Sequence, residues 1–364
     1  MHIDDVPTPA LLLDLDRLEA NLERMARRTR ELGVRLRPHA KTHKCVEIAR
    51  LQRDLGAPGL TVSTLHEARV FADHGFDDMT WAFPVIPSRV PEAAALSRDV
   101  TLRVVVDSAE ALDALLRERA PFRVMLQVDC GYGRVGVDPE DERSLELARR
   151  IVDAGRLRFD GILTHSGHGY DARGADELAE VAEEERSVMA GFADRLRDEG
   201  LEVPAVSVGS TPATSHARDL SGVTEARPGN YAFYDYTQCV IGSCAPEDCA
   251  LTVLSTVVSS PRGRDHCVCD AGALSLSQDS GPRDTELSTM GEIYDDYGAG
   301  TLREDVRLTK LSQEHGTVSA SLPVGERIRI LENHSCLTAA CFDEYHVVRG
   351  EEVVDRWKIW RGRS

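Results

Sequence analysis

The sequence predicts an α/β protein: an N-terminal (β/α)8 TIM barrel over 1–240, then an antiparallel β domain over 241–364. Three observations point there. Short apolar runs alternate with helical patterns through the first two thirds of the chain, the mark of a parallel sheet. Some eight such runs over about 230 residues match the length of a barrel better than a doubly wound sheet. From about residue 240 the pattern turns β-rich, with few helical stretches.

The elements follow in order. ALLLDLD (10–16) is a strand, and RLEANLERMARRTRELG after it is apolar at helical spacing and closed by Gly33. VRLRPHAK is a strand, KCVEIARLQRDLGA a helix, GLTVST a strand, LHEARVFADHG a helix and DMTWAF a strand. VPEAAALSR, SAEALDALLRERA and DERSLELARRIVDAG read as helices between the strands TLRVVVD, FRVMLQVDCG and RFDGILTHSG. A long acidic helix covers about 171–199, and AVSVGS and VTEARPGNYAFYD are the last strands of the series. No Gly-x-Gly-x-x-Gly follows the first strand, which weakens a dinucleotide-binding reading. Beyond 240, ALTVLSTVVSSP, DHCVCDAGALSLS, RLTKLSQEHGTVSA and RIRILENHSC are β-type, and YHVVRGEEVVDRWKIW reads as a hairpin around Arg349–Glu351.

Composition narrows the function. The net charge of -18 argues against nucleic acid or an anionic membrane as partner. No apolar run reaches the length of a membrane span, and MHIDDVPTP has no secretory n- or h-region. Nine cysteines without small-scaffold spacing read as reduced thiols, so a cytoplasmic location is expected.

Lysine is rare: of 43 basic residues only 41, 44, 310 and 358 are lysine. Two of them lie in RPHAKTHK (37–44), at a strand end, where barrels place active groups. Lys41 is then either a solvated lysine or a functional amine. Other strand ends carry CGYGRVGVD, THSGHGY, VGSTP and RPGNYAFYD. Gly209-Ser210-Thr211 and Gly229-Asn230 offer backbone N–H groups and hydroxyls to an anion, at the two strand ends where barrels bind phosphate; each alone also reads as a plain turn. Arg134 could meet a cofactor oxygen or pair with Asp129 or Asp138. His165, His168 and Tyr170 cluster after GILT. In the β domain, His334-x-Cys336 follows an apolar strand, and an extended backbone would put both side chains on one face. That pair is a candidate zinc-type site or a buried thiol beside a structural histidine. Cys267 and Cys269 read as core, and Cys244 and Cys249 lack a second pair for structural zinc.

Together RPHAKTHK, CGYGRVGVD, THSGHGY, VGSTP, RPGNYAFYD, DAGALSLSQD, LSQEHG and NHSCLTAACFDEYHVV resemble the D-serine dehydratase / D-threonine aldolase family, pyridoxal phosphate (PLP) enzymes of the alanine-racemase-like fold type. The resemblance runs in order from about 5 to 350. It implies that residues 1–10 join the β domain and that the protein is a homodimer. It implies PLP on Lys41, with His165 and Tyr170 beside the ring and Arg134 on the phenolate side. Ser210, Thr211, Gly229 and Asn230 would hold the phosphate. His334 and Cys336 would hold a divalent ion, zinc first, with manganese, cobalt or magnesium as the other choices. Arginine could not replace the lysine, because it does not deprotonate to a nucleophile.

The implied substrate is a small D-3-hydroxy amino acid. Cys at the second metal position resembles the dehydratase type, giving a 2-oxo acid and ammonia from D-serine or D-threonine by β-elimination, with Lys41 as base. The alternatives are 3-hydroxy-D-aspartate dehydratase and D-threonine aldolase, where His168 would act as base. A racemase using Tyr294, Tyr297 or Tyr345, and a non-catalytic PLP carrier, are further readings.

Overall fold

The computed structural model describes residues 1–281 and 289–363. The chain forms two compact units. One comprises 25–41, 48–229 and 362–364; the other comprises 1–24, 42–47 and 230–361.

The strands are β1 (Ala10–Asp14), β2 (Arg35–Leu36), β3 (Leu60–Val62), β4 (Asp78–Pro84), β5 (Thr101–Val106), β6 (Arg123–Gln127), β7 (Arg158–Leu163), β8 (Val206–Val208) and β9 (Glu225–Ala226). Then come β10 (Leu251–Ser259), β11 (Cys267–Cys269), β12 (Gly291–Asp296), β13 (Thr301–Leu311), β14 (Gly316–Val318), β15 (Arg327–Leu331), β16 (Glu344–Arg349) and β17 (Glu352–Lys358).

In the first unit β2–β9 pair in parallel in the order β2-β9-β8-β7-β6-β5-β4-β3. A parallel bridge between His39 and Thr61 joins the two ends of that order and closes the barrel. Strands such as β5 (TLRVVV) and β6 (RVMLQ) are apolar runs with most positions buried, as in a sheet covered on both faces. The helices between them start on side-chain caps: Thr64, Ser108, Asp141 and Ser210 each accept a hydrogen bond from a first-turn N–H. Gly161 has φ +125°, and a Cβ there would sit 2.0 Å from the Ala205 carbonyl oxygen, so only glycine lets β7 approach β8 at this point.

A buried charge network runs through the barrel strands. Arg37 is 1% exposed; its Nε donates to Glu225 Oε2 at 3.1 Å and its Nη1 to Asp78 Oδ1 at 2.6 Å. Arg103 also bonds Asp78 and reaches Asp160 Oδ2 at 2.9 Å, which Arg123 Nη1 approaches at 3.2 Å. Burial alone would raise the Glu225 carboxyl, but Arg37, Ser207 and Arg227 outweigh it and hold the group below the usual range.

The second unit carries a mixed sheet in the order β11-β14-β13-β12-β15-β10-β1-β16-β17, and a further β11–β10 pairing closes six of its strands into a small barrel. β16 and β17 form the expected hairpin. The run 10–16, placed above at the head of the alternating series, belongs here: β1 pairs antiparallel with β10 and parallel with β16. An uninterrupted apolar run can lie in either kind of sheet, so periodicity did not separate them. Cys267 and Cys269 are buried core residues.

Substituting Glu225→Gln leaves Arg37 buried with Asp78 as its remaining counter-charge. The expected loss is about 3 kcal/mol in urea unfolding at neutral pH. Because the folded Glu225 is held below its unfolded value, its contribution is present above the ordinary glutamate range and is lost as pH falls through the lowered value. The wild-type and variant midpoints should therefore converge in acid.

Candidate active site

The barrel unit gathers Lys41, Arg134, His165, His168, Tyr170, Ser210, Thr211 and Gly229 at strand ends. Lys41 follows the His39 bridge in a turn, and its backbone N–H donates to His39 Nδ1 at 3.3 Å. His165 follows β7. Its Nδ1 lies 2.9 Å from the Gly209 carbonyl oxygen. A carbonyl only accepts, so Nδ1 carries the proton and Nε2 keeps its lone pair. Burial, then the nearby positive charges of Lys41, Arg134 and Arg227, push the His165 pKa down to about 3. The ring is a neutral face beside the lysine.

Glu185, from the long helix Gly174–Asp198, ties the two strand ends together. Its Oε1 accepts from Ser166 N–H at 3.1 Å and from Gly209 N–H at 3.0 Å. Burial raises this carboxyl, and those N–H groups and Arg227 work against the rise. Gly209 has φ +134°, and a Cβ there would meet Arg227 N at 2.7 Å. Ser210 next to it caps the short helix Thr211–His216 through Ala213 N–H, which leaves its own O–H to donate. Thr214 Oγ1 and Ser215 Oγ are buried without a protein partner. Gly229 follows the adjacent β9, paired with β8 at Val208–Ala226. Small residues, hydroxyls and backbone N–H groups fit a phosphate dianion, and the Oε1 of the neighbouring Glu185 is spent on two N–H groups.

Tyr132 is a neighbour that sequence reasoning passed over. Its ring stands edge-on to His165 at 6.1 Å and 6.2 Å from His168, and a Cβ on Gly167 would strike it at 2.2 Å. Arg134 lies over the same ring at 5.1 Å. Its sequence alternative, a pair with Asp129 or Asp138, is not formed among the described residues: Asp129 accepts from the Gly131 and Gly133 N–H groups and Asp138 from the Glu140 N–H. His168 Nε2 faces Glu184 at 3.7 Å, in the turn Gly167–Tyr170 that ends at Tyr170.

The second unit holds Asn230, His334 and Cys336. The His-x-Cys geometry differs from the extended segment expected. His334 is extended (φ −147°), but Cys336 lies in the first turn of the helix Ser335–Ala339. The two side chains still meet, within hydrogen-bond reach. The reason is the buried Asp235. It accepts from Ser335 N–H at 3.0 Å and from Asn230 Nδ2 at 2.6 Å, and so starts the helix between the two residues. Asn230 Nδ2 also donates to Ser335 Oγ at 3.0 Å, which leaves this side chain only its acceptor oxygen for anything else. Thr42 Oγ1 is 3.2 Å from Cys336 Sγ, and the residue before Thr42 in the chain is Lys41. Asp279 Oδ2 sits 3.0 Å from His334 Nδ1. Burial would lower the His334 pKa, but Asp279 and Cys336 raise it well above the usual value. Glu332 is buried with neither oxygen hydrogen-bonded. An imidazole steadied by a carboxylate, with a thiol alongside, fits a borderline divalent cation. Asp279 lies in the motif DAGALSLSQD but stands 55 residues from His334, so no spacing rule marks it.

Residues 13–237 match the alanine racemase N-terminal domain, and 250–348 match the putative serine dehydratase domain. The D-threo-3-hydroxyaspartate dehydratase of Delftia sp. (strain HT23) is 39% identical over 98% of this chain and 97% of its own. The chain belongs to the alanine-racemase-like, PLP-dependent D-serine dehydratase / D-threonine aldolase family. The D-serine dehydratase of Dictyostelium discoideum is 35% identical over 98% of this chain and 97% of its own. A solved structure of a D-threo-3-hydroxyaspartate dehydratase, a cysteine-to-alanine mutant in the metal-free form, superposes with TM-score 0.95 at 38% identity, covering 100% of both chains. Among the described residues no helix is long and apolar enough to cross a membrane.

In the apoprotein, His165 should stay neutral. Its ring resonances in NMR should not move between pH 8 and about 4.5, where an ordinary histidine titrates fully. The unfolded chain binds a proton at this residue below about 6.5 and the folded chain does not, so this group makes stability fall as pH drops from 6.5 toward 3.

Proposed function

We propose that the protein is a PLP- and metal-dependent lyase that eliminates the β-hydroxyl of a D-3-hydroxy amino acid, giving a 2-oxo acid and ammonia. Its named relatives act on D-threo-3-hydroxyaspartate and D-serine, and these are the substrates assigned here. The observation that carries the reading is the His334–Cys336 pair with Asp279 behind the imidazole. When bound, PLP withdraws electrons from Cα, and a divalent ion, zinc by its preference for nitrogen and sulfur, withdraws them from the β-oxygen.

The protein's own groups supply the rest. Lys41 holds the cofactor through its amine and takes the proton from Cα. The neutral His165, locked on Gly209, packs beside it without adding a charge. Arg134 faces the phenolate side, and Tyr170 the pyridine side. Ser210 and Thr211, with the backbone N–H groups of Gly229 and Asn230, bind the phosphate. Asp279 orients His334 and fixes its tautomer. We read the protein as a cytoplasmic homodimer, by analogy with the family.

Retro-aldol cleavage is the second reading, with His168 as the base at the hydroxyl. Cys336 beside His334 favours elimination. Racemisation needs a base on a second face. The hydroxyls of Tyr294, Tyr297 and Tyr345 donate to the carbonyls of Pro246, Cys249 and His43, which speaks against all three.

PLP-loaded enzyme given D-threo-3-hydroxyaspartate or D-serine should form oxaloacetate or pyruvate with equimolar ammonia; glycine plus an aldehyde would decide for the aldolase. Thorough chelation, Lys41→Ala and Cys336→Ala should each abolish turnover, and activity surviving chelation would remove the metal from the mechanism. Asp279→Asn should weaken metal affinity by about 10–100-fold, read by titrating the stripped enzyme with zinc.

A further inference from the structure

Three cysteines outside the proposed catalytic groups converge in the second unit. Cys239, Cys244 and Cys249 are spaced by four residues in each gap. Cys239 Sγ lies 3.5 Å from Cys244 Sγ and 3.6 Å from Cys249 Sγ, and all three sulfurs fall within 4.8 Å of one another. Spacing alone had argued against structural zinc at Cys244 and Cys249. It missed Cys239, which the helix Tyr236–Ile241 and its turn bring back over the loop.

We propose that Cys239, Cys244 and Cys249 form a second metal site, a three-thiolate site for a thiophilic d10 cation of the zinc and cadmium class, structural rather than catalytic.

The separations fit such an ion. With metal–sulfur bonds of about 2.3 Å, three sulfurs on one ion lie about 3.8–4.0 Å apart. A disulfide would need about 2.05 Å. The frame around the sulfurs is fixed before any ion arrives. Asp235 caps the helix through Gln238 N–H, and Gly242 ends it in a left-handed turn at φ 90°. Arg17 Nη1 holds the carbonyls of Pro246 and Cys249, each at 3.1 Å. Asn21 Nδ2 holds the Asp248 carbonyl at 2.8 Å, and Tyr294 and Tyr297 bond the carbonyls of Pro246 and Cys249. Gly300 packs on the same loop, where a Cβ would meet Glu247 N at 2.7 Å. Cys249 is buried, while Cys239 and Cys244 are half-exposed, which leaves the ion an entry path. Binding replaces the three S–H bonds by metal–sulfur bonds and releases those protons to solvent; no electrons move.

The test counts zinc on PLP-loaded enzyme, stripped by chelator and dialysed against zinc with a phosphine reductant. Native mass spectrometry and elemental analysis should give two ions per chain in the wild type, one in His334→Ala and none in His334→Ala/Cys244→Ser. An independent readout is the ultraviolet sulfur-to-cadmium absorption. In His334→Ala/Cys336→Ala it should saturate at one cadmium per chain, and adding Cys244→Ser should remove it. Cys244 is chosen because its side chain is half-exposed and lies outside the helix that carries Cys239, and circular dichroism checks the fold. One wild-type ion that survives His334→Ala but not Cys244→Ser supports this site and rejects the one at His334. One ion lost entirely in His334→Ala overturns the proposal. So does a count of seven rather than nine thiols in denatured, unreduced protein, because a disulfide would then occupy the cluster.

Discussion

Arg37 is the constraint on which the barrel depends. Its guanidinium is almost fully buried and is balanced by Glu225, the first residue of β9, and Asp78, the first residue of β4. A charge in that position is tolerated only while both carboxylates stay ionised and in place. The network therefore ties β2 to its neighbour β9 and, past β3, to the start of β4. Four residues after Arg37 comes Lys41. The segment that carries the proposed cofactor lysine thus leaves the barrel directly after this ion pair. Gly59 completes the arrangement, since a Cβ there would sit 2.5 Å from Arg37 Nη1.

The same logic recurs at the strand ends. A parallel strand that stops leaves N–H groups without ladder partners. At β7 and β8 two of them, on Ser166 and Gly209, end on one carboxylate oxygen of Glu185. The carbonyl of the same Gly209 meets His165 and sets which ring nitrogen carries the proton. Here the neutrality of this histidine comes from burial and from the neighbouring positive charges of Lys41, Arg134 and Arg227.

Much of this was legible in the sequence, and the reasons are local. Parallel strands buried on both faces write continuous apolar runs, so β5, β6 and β7 could be read directly. Strand-end clusters such as THSGHGY and VGSTP carry residue types with few structural uses in that combination. What escaped reading depends on distance along the chain. Arg37 is one arginine among many, and Glu185 sits inside a helix already rich in acids. Asp279 meets His334 only after the chain has folded back. Tyr132 was visible inside CGYGRVGVD, but only the folded turn brings it over Gly167.

The thiol trio and the His334–Cys336 pair show why spacing along the chain is a poor guide to which side chains meet. His334 and Cys336 suggested an extended segment with both side chains on one face, yet they meet across a helix start imposed by Asp235. Cys244 and Cys249 suggested an incomplete pair, yet a capped helix of six residues returns Cys239 to them. Asp235 is common to both. One oxygen starts the helix that carries Cys239, through Gln238 N–H, and the other starts the helix that carries Cys336, through Ser335 N–H. One buried carboxylate thus serves as the start of both sulfur-bearing helices, and a substitution at Asp235 would release the first turn of each at once.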